Sequence, residues 1–184
     1  MRIIGGKYKS KRFKAPKNIT ARPTTDFAKE GLFNILDNKI YFEDTSVLDL
    51  FSGIGAISLE FASRGCTDIT LVEKDRVHMR FINHMIREMN FENEIHSIQL
   101  DVYKYLKTCV KTFDLIFADP PYYMDEIEKL PTIILEKGLL NPDGILVFEH
   151  YKKTDLSDNI GYIETRNYGN ASFSFFENTT SEEE

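Results

Sequence analysis

The sequence has little cysteine and lacks any long apolar stretch. Cys66 and Cys109 are its only two cysteines, and neither lies in a Cys-x-x-Cys or Cys/His spacing. This pattern argues against a disulfide framework and against a zinc site. The apolar runs are far shorter than the ~20 residues of a membrane-spanning helix, and the basic start is not followed by the apolar core of a signal peptide. We therefore expect a reduced, cytoplasmic, globular protein with no metal and no membrane contact.

Acidic side chains are absent from residues 1–22, although the whole chain carries a net charge of -6. A basic segment on an acidic body indicates a polyanionic partner, although a solvated basic hairpin would have the same composition. Tyr8 and Phe13 stand between the charges and favour RNA, because unpaired bases stack on aromatic rings. The basic residues of this segment are Arg2, Lys7, Lys9, Lys11, Arg12, Lys14, Lys17 and Arg22.

Strand-like and helix-like runs alternate through most of the chain. Continuous apolar strands separated by amphipathic helices predict βαβ units and an open, doubly wound, mostly parallel α/β sheet of the Rossmann type. The predicted strands are 46–51, 68–73, 95–100, 113–118 and 144–149, and the helices between them are 54–64, 76–90, 101–110 and 125–137.

The two ends of the chain extend this central pattern. Residues 1–14 are expected to form a basic β-ribbon, followed by a helix that begins near Asp26, and 161–167 with 171–177 form a C-terminal antiparallel hairpin. A length of 184 residues fits one domain. We therefore assign 1–23 to a basic RNA-binding arm, 24–178 to the main domain and 179–184 to a flexible acidic tail.

Ligands of doubly wound sheets bind beyond the carboxyl ends of the strands, so the residues at those ends are the candidate site. The first strand carries Asp49 and leads into Gly53 and Gly55, which permit a tight turn. Gly-x-Gly alone is a weak signal, and Ser58 stands where a dinucleotide fingerprint has its third glycine. Asp49 would repel a pyrophosphate but can hold an amino group, which favours S-adenosylmethionine over NAD.

The second and third strands also end in acids. Glu73 lies about 20 residues beyond the glycines and is placed to accept hydrogen bonds from two ribose hydroxyls, while Asp75 is a helix cap. Asp101 could accept a bond from an adenine amine beside the backbone amide of Val102. Asp101 also opens a predicted helix and could simply be its N-cap.

The fourth strand ends in Asp119-Pro120-Pro121-Tyr122. The prolines fix the backbone, so that the Asp119 carboxylate and the Pro120 carbonyl are two acceptors at a set separation. Such a pair suits a planar –NH2 group, whose lone pair is freed for attack when both hydrogens are bonded. We expect direct methyl transfer to an exocyclic base amine by orientation and electrostatics, with Tyr122 as the surface on which the base stacks.

These motifs resemble those of a known family. DLFSGIGA (49–56), LVEKD (71–75) and DPPY (119–122) are similar in order to class I S-adenosylmethionine-dependent methyltransferases that modify exocyclic amines. MRIIGGKYKSKRFKAP at the start, RPTTD (22–26) and EH (149–150) make the chain resemble the bacterial RsmD family more narrowly. The resemblance extends from Met1 to about Phe176. DPPY alone is shared with adenine and cytosine amino-methyltransferases.

The resemblance implies a monomeric enzyme that methylates the N2 amine of one guanine in 16S ribosomal RNA. The substrate would be the small ribosomal subunit or a late assembly intermediate, and the donor would leave as S-adenosylhomocysteine. It also implies that Arg22 and Thr24 join the basic arm to the mouth of the active site. The full set of expected RNA contacts is Lys7, Lys9, Lys11, Arg12, Arg22 and Thr24.

Some features leave alternatives open. Ile54, Phe27 and Asn170-Ala171 depart from the family pattern and affect the expected RNA contacts rather than the chemistry. A DNA amino-methyltransferase would need a target-recognition region, for which the strand spacing leaves no room. An inactive RNA-binding module would not need the DPPY acceptors, and an NAD dehydrogenase would not need Asp49. His150 could border the pocket, and Tyr123 has no assigned role.

Overall fold

The computed structural model describes residues 1–15, 24–122 and 126–178, which form a seven-stranded sheet with helices on both faces. The strands are β1 (Ser46–Leu50), β2 (Asp68–Glu73), β3 (Ile95–Gln99), β4 (Phe113–Ala118), β5 (Leu140–Tyr151), β6 (Tyr162–Tyr168) and β7 (Ala171–Glu177). The α-helices are α1 (Asp26–Leu36), α2 (Ala56–Ser63), α3 (Arg76–Glu88), α4 (Val102–Thr108) and α5 (Leu130–Glu136). Within the described ranges, no helix is long and apolar enough to cross a membrane.

The strand order is β3-β2-β1-β4-β5-β7-β6. β1 to β5 pair in parallel, whereas β7 runs antiparallel to both β5 and β6. The chain moves outward from β1 to β3 and then returns to place β4 on the other side of β1. This reversal is the switch point at which doubly wound sheets bind ligands. The predicted fold class, including the C-terminal antiparallel hairpin, is confirmed.

Two apolar clusters cover the two faces of the sheet, because successive side chains of a strand point to opposite faces. Val47 and Phe117 belong to the cluster that also contains residues of α1, α2 and α3. Leu48 and Ile116, their neighbours in sequence, belong to the cluster with α4 and α5. This alternation also fixes which face each residue at a strand end points to.

Helix starts follow their capping residues. The Thr25 hydroxyl accepts a hydrogen bond from the amide of Ala28 and caps α1. Asp75 caps α3 by accepting from the amides of Val77 and His78. A side-chain oxygen at the N-cap satisfies amides that have no partner inside the helix, so these residues fix where each helix begins.

Two parts of the fold differ from the sequence prediction. β5 begins at Leu140 rather than near 144, because Leu140 pairs with Phe113 before an irregularity in the register leads to the Leu115–Ile145 pair. Phe27 is apolar and lies in the first turn of α1, where the sequence favours a buried side chain, but it is 64% exposed. Its ring instead packs edge-on against Tyr168, with 5.8 Å between centroids.

The basic N-terminal segment is docked on the main body. Arg2 and Arg12 form an antiparallel bridge, as expected for a ribbon, and Ile3 is fully buried in the cluster with α1 to α3. The Tyr8 hydroxyl donates to the backbone carbonyl of Met89 at 2.7 Å, just after α3. Residues 1–13 are therefore part of the packed fold rather than a free arm.

Glu60 in α2 organises this docking. Its fully buried carboxylate accepts hydrogen bonds from the amides of Ile4 and Gly5 at 2.8 and 2.7 Å. It also forms ion pairs with Lys29 of α1 at 3.3 Å and with Arg64 at 3.1 Å. Lys29 is equally buried, which lowers the pKa of its ammonium group, and it donates to the Arg2 carbonyl.

Replacing Glu60 by alanine is expected to destabilise the fold by about 3–5 kcal/mol, because Lys29 would remain buried without its carboxylate. Urea unfolding of the variant measures this loss. Glu92→Ala is the matched control, since Glu92 is exposed and should change stability by less than about 0.5 kcal/mol. A loss for Glu60→Ala no larger than that of the control would contradict the role given to Glu60.

Candidate active site

Four acids gather at the carboxyl ends of neighbouring strands. Asp49 lies near the end of β1, Glu73 ends β2, Asp119 follows β4 and Glu149 lies near the end of β5. All four side chains point to the face of the sheet that carries α1 to α3. Each lies two residues beyond a core residue of that face, such as Val47 for Asp49 and Phe117 for Asp119. The amide of Asp119 donates to the Leu50 carbonyl at 3.3 Å, which ties the end of β4 to the end of β1.

A cleft opens at this edge beside the turn between β1 and α2. It is lined by Thr24, Asp49, Phe51, Ser52, Gly53, Ile54, Ala56, Ile57, Phe117 and Asp119. Gly53 and Gly55 both have left-handed backbone conformations, with φ of 55° and 74°, as the sequence predicted. Phe51, which is not a glycine, is also left-handed at φ 60°, a conformation that costs roughly 1–2 kcal/mol for such residues.

Glu73 fixes the glycine turn. One of its carboxylate oxygens accepts from the Gly53 amide at 2.8 Å and the other from the Asp75 amide at 2.7 Å. A carboxylate oxygen has two acceptor positions, so both oxygens can still accept bonds from a ligand. Asp75 caps α3, whereas Glu73 holds Gly53, which lines the cleft. The expected contact of Glu73 with a ribose stays a prediction.

Asp49 is 1% exposed and accepts a hydrogen bond from the Ser58 hydroxyl at 2.5 Å. The pKa of its carboxyl group is raised to about 7, mainly by burial and to a smaller extent by the charge of Glu73, against the lowering effect of the hydrogen bonds from Ser58. Sequence reasoning noted Ser58 only as a missing glycine. Its role is to hold Asp49, and the signal was a polar residue on an otherwise apolar turn of helix.

Replacing Asp49 by asparagine is expected to stabilise the protein, measured without ligand, at pH 8. The folded-state pKa of about 7 lies above the ordinary value of 3.8. The protonated acid is therefore favoured in the fold, and stability is lost as the pH rises from about 4 through 7. The gain of the variant in free energy of unfolding should be larger at pH 8 than at pH 5 by roughly 2.5 kcal/mol. A gain independent of pH would contradict the buried charge, and the exposed Asp158→Asn variant is the control.

Asp119 is partly buried where β4 ends, and Pro120, Pro121 and Tyr122 follow it. The pKa of Asp119 is raised well above its ordinary value, first by burial and then by the charges of Glu149 and Asp49. Tyr122 is 47% exposed, and its ring lies 6.1 Å from the ring of Tyr151, measured between centroids. Asp119 lines the cleft, and the amine pocket expected from these four residues stays a prediction.

Glu149 is the site residue that sequence reasoning missed. It is 3% exposed, and its carboxylate accepts hydrogen bonds from the Thr24 hydroxyl at 2.9 Å and the Tyr122 hydroxyl at 3.4 Å. Burial raises the pKa of Glu149 to about 7, although both hydroxyl groups lower it. The available signal was an acid at the end of the fifth predicted strand, equivalent in position to the other strand-end acids.

Asp101 caps α4, as one of the two sequence interpretations had it. It accepts from the amides of Tyr103 and Lys104 at 3.1 and 3.3 Å. Gln99, two residues earlier, pairs with Glu73 across β2 and β3, so Asp101 also lies at the edge that carries the cleft. The expected adenine contact of Asp101 and Val102 therefore stays a prediction.

The basic residues expected to contact RNA lie on the surface of the docked N-terminal segment. Lys7, Lys9 and Arg12 are exposed, whereas Lys11 forms an ion pair with Glu88 at 3.2 Å. The ammonium groups of Lys7 and Lys11 lie 5.2 and 5.3 Å from the centroid of the Tyr8 ring. Of the other residues singled out from the sequence, Arg22 and Tyr123 lie outside the described residues.

His150 faces away from the cleft, towards the opposite side of the sheet. Its ring nitrogens lie 3.0 Å from the Tyr151 carbonyl and 2.8 Å from the Ser174 hydroxyl. Burial lowers the pKa of His150, so it is a neutral, hydrogen-bonded side chain of the sheet. Across residues 1–15, 24–122 and 126–178, no group of three or more histidine, cysteine or acidic side chains is arranged to hold a metal ion.

Comparison with known proteins places this geometry in a family. The family model described as conserved hypothetical protein 95 matches residues 1–177. The chain belongs to this family. Membership confirms the resemblance to the RsmD family that the sequence motifs indicated. The match includes both the docked N-terminal segment and the C-terminal hairpin.

Relatives of this family are named for RNA methylation. The putative rRNA methyltransferase YlbH of Bacillus subtilis is 32% identical over 88% of this chain and 88% of its own. The ribosomal RNA small subunit methyltransferase D of Escherichia coli K12 is 29% identical over 81% of this chain and 74% of its own. Among solved structures, a hypothetical protein of Thermus thermophilus superimposes with a TM-score of 0.84 at 31% identity, covering 96% of this chain and 99% of that one.

Proposed function

We propose that this protein transfers a methyl group from S-adenosylmethionine to the exocyclic N2 amine of a guanine in 16S ribosomal RNA. One observation carries the proposal: Asp119 and its two prolines end β4 at the switch point of the sheet, beside the glycine turn that follows β1. An amine acceptor and a cofactor turn are thus side by side. The names of the relatives support an RNA substrate of the small ribosomal subunit.

The residues of the cleft fit S-adenosylmethionine. Asp49 is a buried carboxylate whose neighbours are Ser58, Ser52 and Glu73, and the amino group of the ligand would supply the cation that this site needs. Glu73 has acceptor positions for the two ribose hydroxyls. Gly53 and Gly55 let the backbone approach the ligand closely, and Asp101 with Val102 lies where the adenine would be held. When bound, the cofactor supplies a methyl group on a positively charged sulfur.

The chain's own task is to orient the guanine amine. The Asp119 carboxylate and the Pro120 carbonyl accept its two hydrogens, which pulls the nitrogen towards pyramidal geometry and directs its lone pair. Placement of acceptors before the reaction is the main way in which such a site lowers the barrier. Tyr122 offers a partly exposed face for the base, and such stacking contributes roughly 1–3 kcal/mol.

The N-terminal segment supplies the RNA contact in this proposal. It packs on the same face of the sheet as the acidic cleft, since Ile3 and Tyr8 join the cluster with α1 to α3. Lys7, Lys9 and Arg12 are exposed on it and can neutralise phosphates of an RNA that extends from the cleft across this face of the protein. Residues 1–23 would then bind RNA, while 24–178 hold the cofactor and the target base.

Methyl transfer from labelled S-adenosylmethionine tests the proposal. The purified protein is incubated with small ribosomal subunits that lack this modification, with their deproteinised RNA, and with duplex DNA. Label in the RNA but not in the DNA is expected. Label in DNA alone would mean that the substrate is an adenine or cytosine amine of DNA rather than a guanine amine of RNA. No label in any of them, together with calorimetric binding of NAD and not of S-adenosylmethionine, would overturn the methyltransferase assignment.

A further inference from the structure

The Glu149 carboxylate joins two segments that are far apart in sequence. Its Oε2 atom accepts a hydrogen bond from the Thr24 hydroxyl at 2.9 Å, across 125 residues. Its Oε1 atom accepts from the Tyr122 hydroxyl at 3.4 Å, across 27 residues. Each oxygen of one buried carboxylate thus accepts a hydrogen bond from a different hydroxyl group.

Each of the two hydroxyls belongs to a part of the candidate site. Tyr122 is the last residue of the DPPY motif, and its ring is the partly exposed surface for the base. Thr24 lines the cleft and directly precedes Thr25, the cap of α1. Glu149 therefore connects Thr24, just before α1, to the ring proposed to face the target base.

A glutamate at position 149 is unfavourable for the stability of the fold. It lies beside Asp119, and two buried carboxylates disfavour each other's ionisation. Val147, two residues earlier on the same face of β5, is a buried apolar residue, which shows what packing alone requires on this strand. An acid at 149 makes sense where two hydroxyl donors must be held in fixed directions, because hydrogen bonds to a charged acceptor are stronger than those between neutral groups.

We propose that Glu149 is a positioning residue for the amine transfer: through the Tyr122 and Thr24 hydroxyls it fixes the ring against which the target base stacks. The inference rests on the proposed function for its reaction, whereas the hydrogen bonds of Glu149 with Thr24 and Tyr122 do not depend on that function. Glu149 does not touch the reacting atoms in this account. Its effect reaches them through Tyr122, so removing the Tyr122 hydroxyl should remove most of what Glu149 contributes.

A double-mutant cycle tests this coupling. Glu149→Gln keeps the size of the side chain but removes its charge, and Tyr122→Phe keeps the ring but removes its hydroxyl. Each single variant is expected to lower kcat/KM for RNA by about 10-fold, with S-adenosylmethionine affinity within about 2-fold of the wild type. The double variant should resemble the single ones rather than show the product of their losses. Thr24→Val extends the cycle to the other hydroxyl.

Two further readouts separate positioning from general stability. Backbone hydrogen exchange in peptides that cover 24–28 and 119–122 should be faster in Glu149→Gln, with exchange in β1 and β4 unchanged. The acid limb of the kcat profile should move to lower pH, because after burial the charge of Glu149 raises the pKa of Asp119 most, with that of Asp49 next. Glu149 itself faces the Thr24 and Tyr122 hydroxyls in addition to Asp119.

Several outcomes would overturn the proposal. Independent, multiplicative losses in the cycle would mean that Glu149 does not act through Tyr122, and a large loss of cofactor affinity in Glu149→Gln would make it a cofactor ligand. Unchanged hydrogen exchange in both peptides would show that Glu149 does not hold these two segments in place. If the wild type itself transfers no methyl group, the proposed function fails, while the exchange measurement still decides whether Glu149 holds the two segments.

Discussion

Replacement of Asp119 by alanine should lower the rate of methyl transfer by about 10²- to 10³-fold while leaving the affinity for S-adenosylmethionine nearly unchanged. Asp119 follows β4 and lines the cleft beside the glycine turn, so loss of its carboxylate removes an amine acceptor and leaves the hydrogen bond between Glu73 and the Gly53 amide in place. Single-turnover rates measure the transfer step, and calorimetry measures cofactor binding.

Two variants control this experiment. Asp119→Asn retains one acceptor oxygen at the same place and should keep more activity than the alanine variant. Asp158→Ala removes an exposed acid on a distant loop and should have the activity of the wild type. A loss of cofactor affinity in Asp119→Ala as large as its loss of rate would contradict the division between amine pocket and cofactor pocket.

Neutralising the basic N-terminal residues should weaken RNA binding and reduce its dependence on salt. Each phosphate contact adds roughly 0.7–0.9 to the slope of log K against log salt concentration. Changing Lys7, Lys9, Lys11 and Arg12 to glutamine should therefore lower that slope by about 3 if all four contact phosphates. Lys11 is already paired with Glu88 and is expected to contribute less than the three exposed residues.

The matched control neutralises four lysines on the side of α4 and α5. They are Lys107, Lys111, Lys129 and Lys137, and each is exposed. These changes alter the net charge of the protein by the same amount but leave the N-terminal segment intact. Equal slopes for the two quadruple variants would mean that only net charge matters and that the N-terminal segment is ordinary solvated surface.

Much of the site could be predicted because the α/β pattern is strong in the sequence. Apolar runs such as 113–118 are unambiguous strands, and ligands of these folds bind where such strands end. Asp49, Glu73 and Asp119 are recognisable because each stands at or near the end of such an apolar strand. Asp101 showed the limit of this approach, because an acid that opens a helix is also an ordinary N-cap.

The missed features depend on contacts between distant segments. Glu149 became visible as a site residue only when Thr24 and Tyr122 were seen to donate to it. The docking of the N-terminal segment depends on Glu60, a buried acid in a short helix that sequence reasoning read only as an amphipathic segment. Local pattern carries no information about which buried acid meets which backbone amide, so pairings of this kind require the fold.

In the proposed function, Asp119 and Pro120 hold a guanine amine of small-subunit RNA while it takes the methyl group of S-adenosylmethionine. The most direct test uses small subunits from a strain that lacks this gene, methylated by the purified protein with labelled S-adenosylmethionine. The RNA is then digested and the labelled nucleoside is identified and mapped. A single N2-methylguanosine in the 16S RNA is predicted. Label in another nucleoside, or none with the wild-type protein, would contradict the account.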